Sequence, residues 1–154
     1  MERTLVIIKP DAINRGLVGE VIHRFERKGL KLVAMKMEHL SEEVLEEHYA
    51  HHAEKPFFKS LKEFMQSAPA VLMIWEGKEA VDVVRKLAGE TEGTKALPGT
   101  VRGDFALSIQ SNIIHASDSK ETAEKEIKRF FKENEIFSYN RVDSSILYSE
   151  GEVE

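Results

Sequence analysis

His115, in the run Ser111-Asn-Ile-Ile-His-Ala-Ser-Asp-Ser119, is the residue best placed to do chemistry in this 154-residue chain. A short apolar run ends on it and a helix-start signal follows. The ends of strands are where open α/β sheets present reactive groups. Imidazole is also the side chain whose ordinary pKa lies near neutrality, so a neutral nucleophile is available in the cell. Three cations could serve an anion beside it. Lys9 follows the apolar run Thr4–Ile8 and so emerges at the rim of a buried strand. Arg102 lies in residues 89–111, among Thr91, Thr94, Lys95 and Thr100. That segment offers hydroxyl and cationic donors, with glycines that allow close backbone approach. Arg85 sits off the apolar stripe of Val84, Leu87 and Ala88, where it also reads as a solvated helix arginine. Glu126 borders the stripe of Ala123, Ile127 and Phe130. A carboxylate there is costly to desolvate unless paired. It either orients the His115 ring through a hydrogen bond or reaches water from the rim.

Other chemistries find less support. His48 and His52 have the i, i+4 spacing of a helical metal pair, but no third ligand is evident. With no cysteine, neither a disulfide framework nor a thiolate nucleophile is available. The phosphate loop G-x-x-x-x-G-K-S/T is absent, since Gly77-Lys78 is followed by Glu79, and there is no G-x-G-x-x-G. His115 is flanked by Ile114 and Ala116, which excludes an Arg-His-Gly phosphatase motif. Arg102-Gly103-Asp104 spells an adhesion tripeptide, a pattern too short to carry weight.

The length is that of one ordinary domain, and residues 1–154 are read as a single unit with an irregular tail from Ser138. Apolar and charged fractions of 42% and 32% are those of a soluble globular protein. The net charge of -5 argues against a DNA-coating surface but not against a small anion in a cationic cleft. The N-terminal apolar run ends at Lys9-Pro10, too short for a signal peptide, and nothing approaches a membrane span. A cytoplasmic location is expected.

Apolar spacing predicts the elements that must position these residues. Thr4–Ile8 reads as a central strand, followed by a helix through Val18, Val21, Ile22 and Phe25 that Gly29 closes. Leu30–Leu40 reads as a second strand, and Ser41 caps a helix to about Tyr49. Pro56 starts another helix, Ala70–Trp75 is a third strand and Lys78–Ala88 a further helix. Residues 89–111 show no period, Asn112–His115 is a fourth strand, and Asp118-x-x-Glu121 reads as a capping box. This βαββαβ order suggests a ferredoxin-like α/β (α+β) fold: a four-stranded antiparallel sheet with helices packed on one face.

At the level of motifs the chain resembles the nucleoside diphosphate kinase family over about residues 2–148. The resemblance rests on Asn112-Ile-Ile-His-Ala-Ser-Asp-Ser119, on Pro98-Gly-Thr-Val-Arg-Gly-Asp-Phe105 and on Ile8-Lys-Pro-Asp11 with Arg15-Gly-Leu-Val-Gly19. Lys55-Pro-Phe-Phe58 and Trp75-Glu-Gly77 also match. It implies transfer of a γ-phosphate from a nucleoside triphosphate to a nucleoside diphosphate, by ping-pong through a phosphohistidine at His115. By the same resemblance Lys9, Tyr49, Arg85, Thr91, Arg102 and Asn112 hold phosphates, ribose or the transferring group. Phe57 stacks on the base, Leu61 and Ile109 are its apolar neighbours, and Ser117 and Glu126 support the histidine. Mg²⁺ enters with the nucleotide, with no metal site on the protein. The partners implied are nucleoside di- and triphosphates and further copies of the chain, a homo-oligomer with a hexamer favoured over a tetramer. Position 116 is Ala where many members carry Gly, and a positive φ there would be strained.

Three other readings of the same residues are a non-catalytic nucleotide-binding module, a phosphohistidine carrier and a nucleic-acid binder. The first has no need of His115 beside Ser117 and Glu126. The second has no need of a base-stacking Phe57. The third sits poorly with the acidic balance.

Overall fold

A computed structural model describes residues 1–152 of the chain. Val153 and Glu154, the end of the tail that starts at Ser138, lie outside the described residues. Four strands form one sheet: β1 (Glu2–Ile8), β2 (Lys31–Glu38), β3 (Ala70–Gly77) and β4 (Ile114–Ala116). Their order across it is β2-β3-β1-β4, and every neighbouring pair is antiparallel. This is the ferredoxin-like arrangement the element order suggests.

The helices are α1 (Pro10–Asn14), α2 (Val18–Lys28), α3 (Glu42–His48), α4 (Phe58–Met65), α5 (Ala80–Ala88), α6 (Val101–Phe105), α7 (Lys120–Phe130) and α8 (Ser144–Leu147). They cover both faces of the sheet, not one. Every residue of β1 from Thr4 to Ile8 is buried. Val6 and Ile8 face a cluster with Phe25 of α2 and Val84 of α5. Leu5 and Ile7 face the opposite cluster, with Leu45 of α3, Met65 of α4 and Phe130 of α7. An unbroken apolar run, rather than an alternating one, is what burial on two faces requires.

Local chemistry sets the element ends. Gly29 closes α2 at φ 101°, a left-handed conformation that side chains rarely adopt. Ser41 Oγ accepts from Val44 N and starts α3. At α7 the cap is Ser119, whose Oγ accepts from Thr122 N at 3.1 Å, one residue beyond the expected box at Asp118. Helix α4 begins at Phe58 rather than at Pro56. Residues 89–111 are not structureless: they hold a 3₁₀ turn at Gly93–Lys95 and α6, which Thr100 caps through Gly103 N at 3.0 Å. A five-residue helix is too short to show a 3.6-residue period. Within it Gly103 is obligatory, because a Cβ would sit 1.8 Å from the Leu97 carbonyl oxygen.

The tail from Ser138 is also more ordered than its composition suggests. Tyr139 Oη donates to the Leu32 carbonyl at 2.6 Å, Arg141 Nη1 to that of Leu30 at 3.0 Å, and α8 lays Leu147 over Gly29. Among the described residues no helix is long and apolar enough to cross a membrane.

Candidate active site

In the antiparallel register Ile7 of β1 stands opposite His115 of β4. Directly opposed residues share a face, so His115 emerges on the side covered by α3, α4 and α7. There its Nε2 lies 2.5 Å from Glu126 Oε2. The histidine side chain is 24% exposed and the glutamate 3%. The carboxylate can only accept, so Nε2 carries the proton and Nδ1 the lone pair.

The same carboxylate oxygen is 3.3 Å from Nδ1 of His48, at the end of α3. The His48 ring is buried and sits edge-on to His115, with ring centroids 4.7 Å apart. Burial, with His115, Arg129, His51 and Lys9 nearby, pushes the His48 pKa down to about 2, so this ring is neutral. Tyr49 packs its ring edge against His48 at 4.6 Å. Burial, and then the charge of Glu126, raises its phenol pKa, so it remains a neutral donor.

A second group forms where β1 ends. Lys9 Nζ donates to Asn112 Oδ1 at 2.7 Å. Asn112 Nδ2 donates to the Thr91 and Ile109 carbonyls, each at 3.0 Å. The amide therefore ties the end of β1 to both ends of the long connection. Burial, then the charge of Arg102, lowers the Lys9 pKa to about 8, against the opposing pull of Asp11. Arg102 lies in α6 and donates to the carbonyls of Ile114 at 2.7 Å, Gly89 at 2.9 Å and Asn112 at 3.3 Å. Three of its five donors thus tie the end of α5 to the entry to β4, leaving two for a ligand. Burial and the neighbouring Arg85 lower its pKa to about 10, still a cation at neutrality.

Strand β4 starts at Ile114, later than Asn112, because Ile113 is left-handed at φ 75°. A β-branched residue in that region is strained, of order 1–3 kcal/mol. Two bonds hold it: Asp11 Oδ2 accepts from Ile113 N at 3.1 Å, and Lys9 N donates to Ile113 O at 2.9 Å. Ala116, by contrast, is extended strand opposite Val6, so alanine there carries no strain. Asp11→Ala leaves the buried Ile113 N–H unpaired. The expected loss is about 1–3 kcal/mol of unfolding free energy, read from the urea midpoint. An unchanged midpoint would show that the strain is held elsewhere.

The third group is apolar. Phe57, 48% exposed just before α4, rests on the edge of His52 at 5.1 Å. Leu61 lies one turn on, half-buried. Gln110 Nε2 donates to Ser60 O at 3.3 Å, which brings the loop end carrying the exposed Ile109 to α4. Ser117 is fully buried next to β4, and its hydroxyl has no hydrogen-bond partner, Glu126 included. Thr91 and Arg85 are exposed. A concavity of about 780 Å³ opens elsewhere, lined in part by the pairs Lys120–Glu2 and Arg3–Glu76.

A family model for nucleoside diphosphate kinase matches residues 2–136. The chain belongs to the nucleoside diphosphate kinase family. It is 55% identical over 152 residues to the nucleoside diphosphate kinase of Parabacteroides distasonis, covering 99% of each chain. It is 59% identical over 145 residues to that of Pyrococcus abyssi, covering 92% of this chain and 91% of the other. The fold is similar, at a TM-score of 0.93 and 44% identity, to a halophilic nucleoside diphosphate kinase from Halobacterium salinarum solved in complex with CDP, covering 96% of this chain and 98% of that one. As a nucleoside diphosphate kinase, the chain is a nucleotide-binding phosphotransferase.

In this kinase His48, beside His115, and Arg129, beside His48, escape a reading of the sequence. His48 pairs with His52 as a metal motif on spacing alone. The structure turns it inward instead, three residues past buried Leu45, while His52 turns to Phe57. Arg129, one helical turn past Glu126, reaches His48 Nδ1 with its Nη1 at 3.0 Å. Among the described residues, only His48, His115 and Glu126 group potential metal-ligand atoms, all within 4.8 Å of one another. A guanidinium already on His48 Nδ1 opposes a cation there.

Proposed function

We propose that this chain moves the γ-phosphate of a nucleoside triphosphate to a nucleoside diphosphate by ping-pong through a phosphohistidine on His115 Nδ1, maintaining nucleoside and deoxynucleoside triphosphate pools in the cytoplasm. The observation that carries this reading is the 2.5 Å contact between His115 Nε2 and Glu126. It leaves the Nδ1 lone pair free on a partly exposed ring. In the first half-reaction Nδ1 attacks the γ-phosphorus, the bond to the bridging β-oxygen breaks, and the diphosphate leaves. The charge that develops on the ring faces the Glu126 carboxylate. In the second half-reaction a terminal β-phosphate oxygen of the acceptor attacks the same phosphorus and the P–N bond breaks.

Phosphoryl transfer needs little beyond in-line positioning and cations on the equatorial oxygens. Lys9, Arg85 and the free donors of Arg102 supply the charge, and Tyr49, Thr91 and Asn112 supply neutral contacts or hold those groups in place. Ser117 and Glu126 support the histidine. The residues fit a magnesium ion carried by the nucleotide: Lys9, Arg85 and Arg102 are cations, and Asp11 is turned onto Ile113 N–H rather than outward. When bound, that ion neutralises charge on the phosphate oxygens.

Phe57, flanked by Leu61 and Ile109, offers a face on which any base stacks. With no polar side chain committed to the base edge, purine and pyrimidine diphosphates are expected to serve with comparable kcat/KM. A similar enzyme binds CDP. Initial rates measured across a panel of diphosphates, with the triphosphate varied, check both points. Parallel double-reciprocal lines and a narrow spread support the reading; intersecting lines, or a spread of about 10⁴, contradict it.

The same reading extends to a homo-oligomer, a hexamer rather than a tetramer. Two separate apolar surfaces support it. Met35 and Met37 are exposed on β2, the sheet's edge strand, and Leu97 and Leu107 are exposed on the connection before β4.

A further inference from the structure

We propose that Arg129 is a positioning residue for His115, acting through His48: by donating to His48 Nδ1 it fixes that ring as the Nε2–H tautomer and reserves the Glu126 carboxylate for His115. The proposal rests on the reading of His115 as the nucleophile.

Arg129 lies three residues beyond Glu126 on α7, so the two side chains share a helix face. Its side chain is 16% exposed, with Nη1 3.0 Å from His48 Nδ1 and Nε 3.3 Å from Glu47 Oε1. A guanidinium has donors only and keeps its proton at any relevant pH. The nitrogen it meets must therefore accept, which puts the His48 proton on Nε2. The 3.3 Å approach of His48 Nδ1 to Glu126 Oε2 then contains no hydrogen. The carboxylate oxygen has one ring donor, His115 Nε2.

Removing the guanidinium reverses the preference. A bare Nδ1 beside a buried carboxylate gains by taking the ring proton and donating it to Glu126. The oxygen is then shared between two imidazoles and drawn toward α3, and the hold on His115 loosens. The groups facing His48 make this a choice of tautomer rather than of charge. His115 comes from β4, Glu126, Arg129 and Phe130 from α7, Tyr49 and His51 from the segment after α3, and Lys9 from the end of β1. Burial and four of these groups oppose a second proton on the ring. The arginine is thus a device outside the nucleotide cleft that sets the orientation of the ring inside it.

The test uses the full chain labelled with ¹⁵N-histidine, native and as Arg129→Leu and Arg129→Gln. Long-range ¹H–¹⁵N spectra report which nitrogen of His48 bears the proton, without turnover. Phosphorylation by Mg·ATP in a single turnover reports the rate. The native chain and Arg129→Gln, which keeps a donor, are expected to show Nε2–H. Arg129→Leu is expected to show Nδ1–H, with phosphorylation about tenfold slower and KM changed by less than about twofold, since misplacement of a reacting group costs rate before binding. In a His48→Asn background the leucine substitution is expected to add no further loss. An unchanged His48 tautomer in Arg129→Leu, an unchanged rate, or an equal loss with His48 absent would overturn the proposal. Arg129→Met, which keeps a long apolar stem, carries the same test if the leucine variant unfolds. Failure of the tautomer swap with phosphorylation intact overturns this proposal alone. Absence of phosphohistidine in the native chain overturns the reading beneath it.

Discussion

His115→Ala is expected to lower phosphoryl transfer by at least about 10⁴-fold while leaving nucleotide affinity within a few-fold. Removing a nucleophile leaves only positioning and charge, and a direct transfer between two bound nucleotides would need both phosphates in one cleft. The cations survive the change. Lys9 is held by Asn112, and Arg102 by three backbone carbonyls, and none of those bonds involves the imidazole. The fold is expected to survive as well, because His115 lies on the three-residue edge strand and its ring is not part of either apolar cluster; the cost in stability is that of the buried Glu126 carboxylate losing its ring donor. Steady-state kcat and equilibrium binding of a diphosphate, measured on the same preparation, separate the two effects. Turnover retained within about tenfold would remove His115 from the reaction.

The second large effect belongs to Lys9. Lys9→Met keeps the volume and removes the ammonium, and is expected to cost about 10²–10³-fold in kcat/KM, the scale of one lost charge-stabilising donor. The pH dependence makes the assignment specific. In the free protein the Lys9 pKa is lowered to about 8, chiefly by burial. A ligand phosphate needs the ammonium, so kcat/KM, which reports the free enzyme, falls as pH rises through about 8. Bound phosphate restores the proton, so kcat holds to higher pH. In Lys9→Met the fall near pH 8 should vanish.

Stability moves in the opposite sense. Between about 8 and 10.5 the unfolded chain binds the proton that the folded chain has released. Stability of the native chain relative to Lys9→Met therefore rises with pH across that window, measurable by urea unfolding at its two ends. A native pH profile that stays flat through that range, or one shared by Lys9→Met, would show that another group carries the charge.

How far the sequence could be read follows from the range of each interaction. β1 was legible because five buried residues in a row leave one interpretation, and α2 and α3 because Gly29 and Ser41 act within their own turns. The second layer of helices was not, since a run buried on two faces looks the same from either side. Helices α1, α6 and α8 escaped because four or five residues cannot display a helical period. The start of β4 was missed because a left-handed isoleucine has no sequence signature. Its cause is Asp11, about a hundred residues away.

The candidate site divides in the same way. Lys9, Arg102 and His115 sit at strand ends and in the long connection, where local pattern marks them, and Glu126 sits at the edge of an apolar stripe. Arg85 reads as a solvated helix residue from its own spacing, and its charge bears on the site through Arg102, whose pKa it helps to lower. Asn112 is also a structural hub that no local pattern reports, with its oxygen and its amide nitrogen both engaged within the chain. Ser117 is buried just after β4, and its hydroxyl is unpaired. His48 and Arg129 depend on how α3 and α7 meet across the sheet, which no local spacing reports.

The most direct test of a covalent relay is a single turnover without acceptor. The chain is incubated with Mg²⁺ and γ-labelled ATP, and protein is separated from nucleotide. The account predicts an acid-labile, alkali-stable label on the protein that is absent from His115→Ala and passes to added GDP. ATP bound with no label on the protein would contradict it, leaving a nucleotide-binding site without the phosphohistidine step.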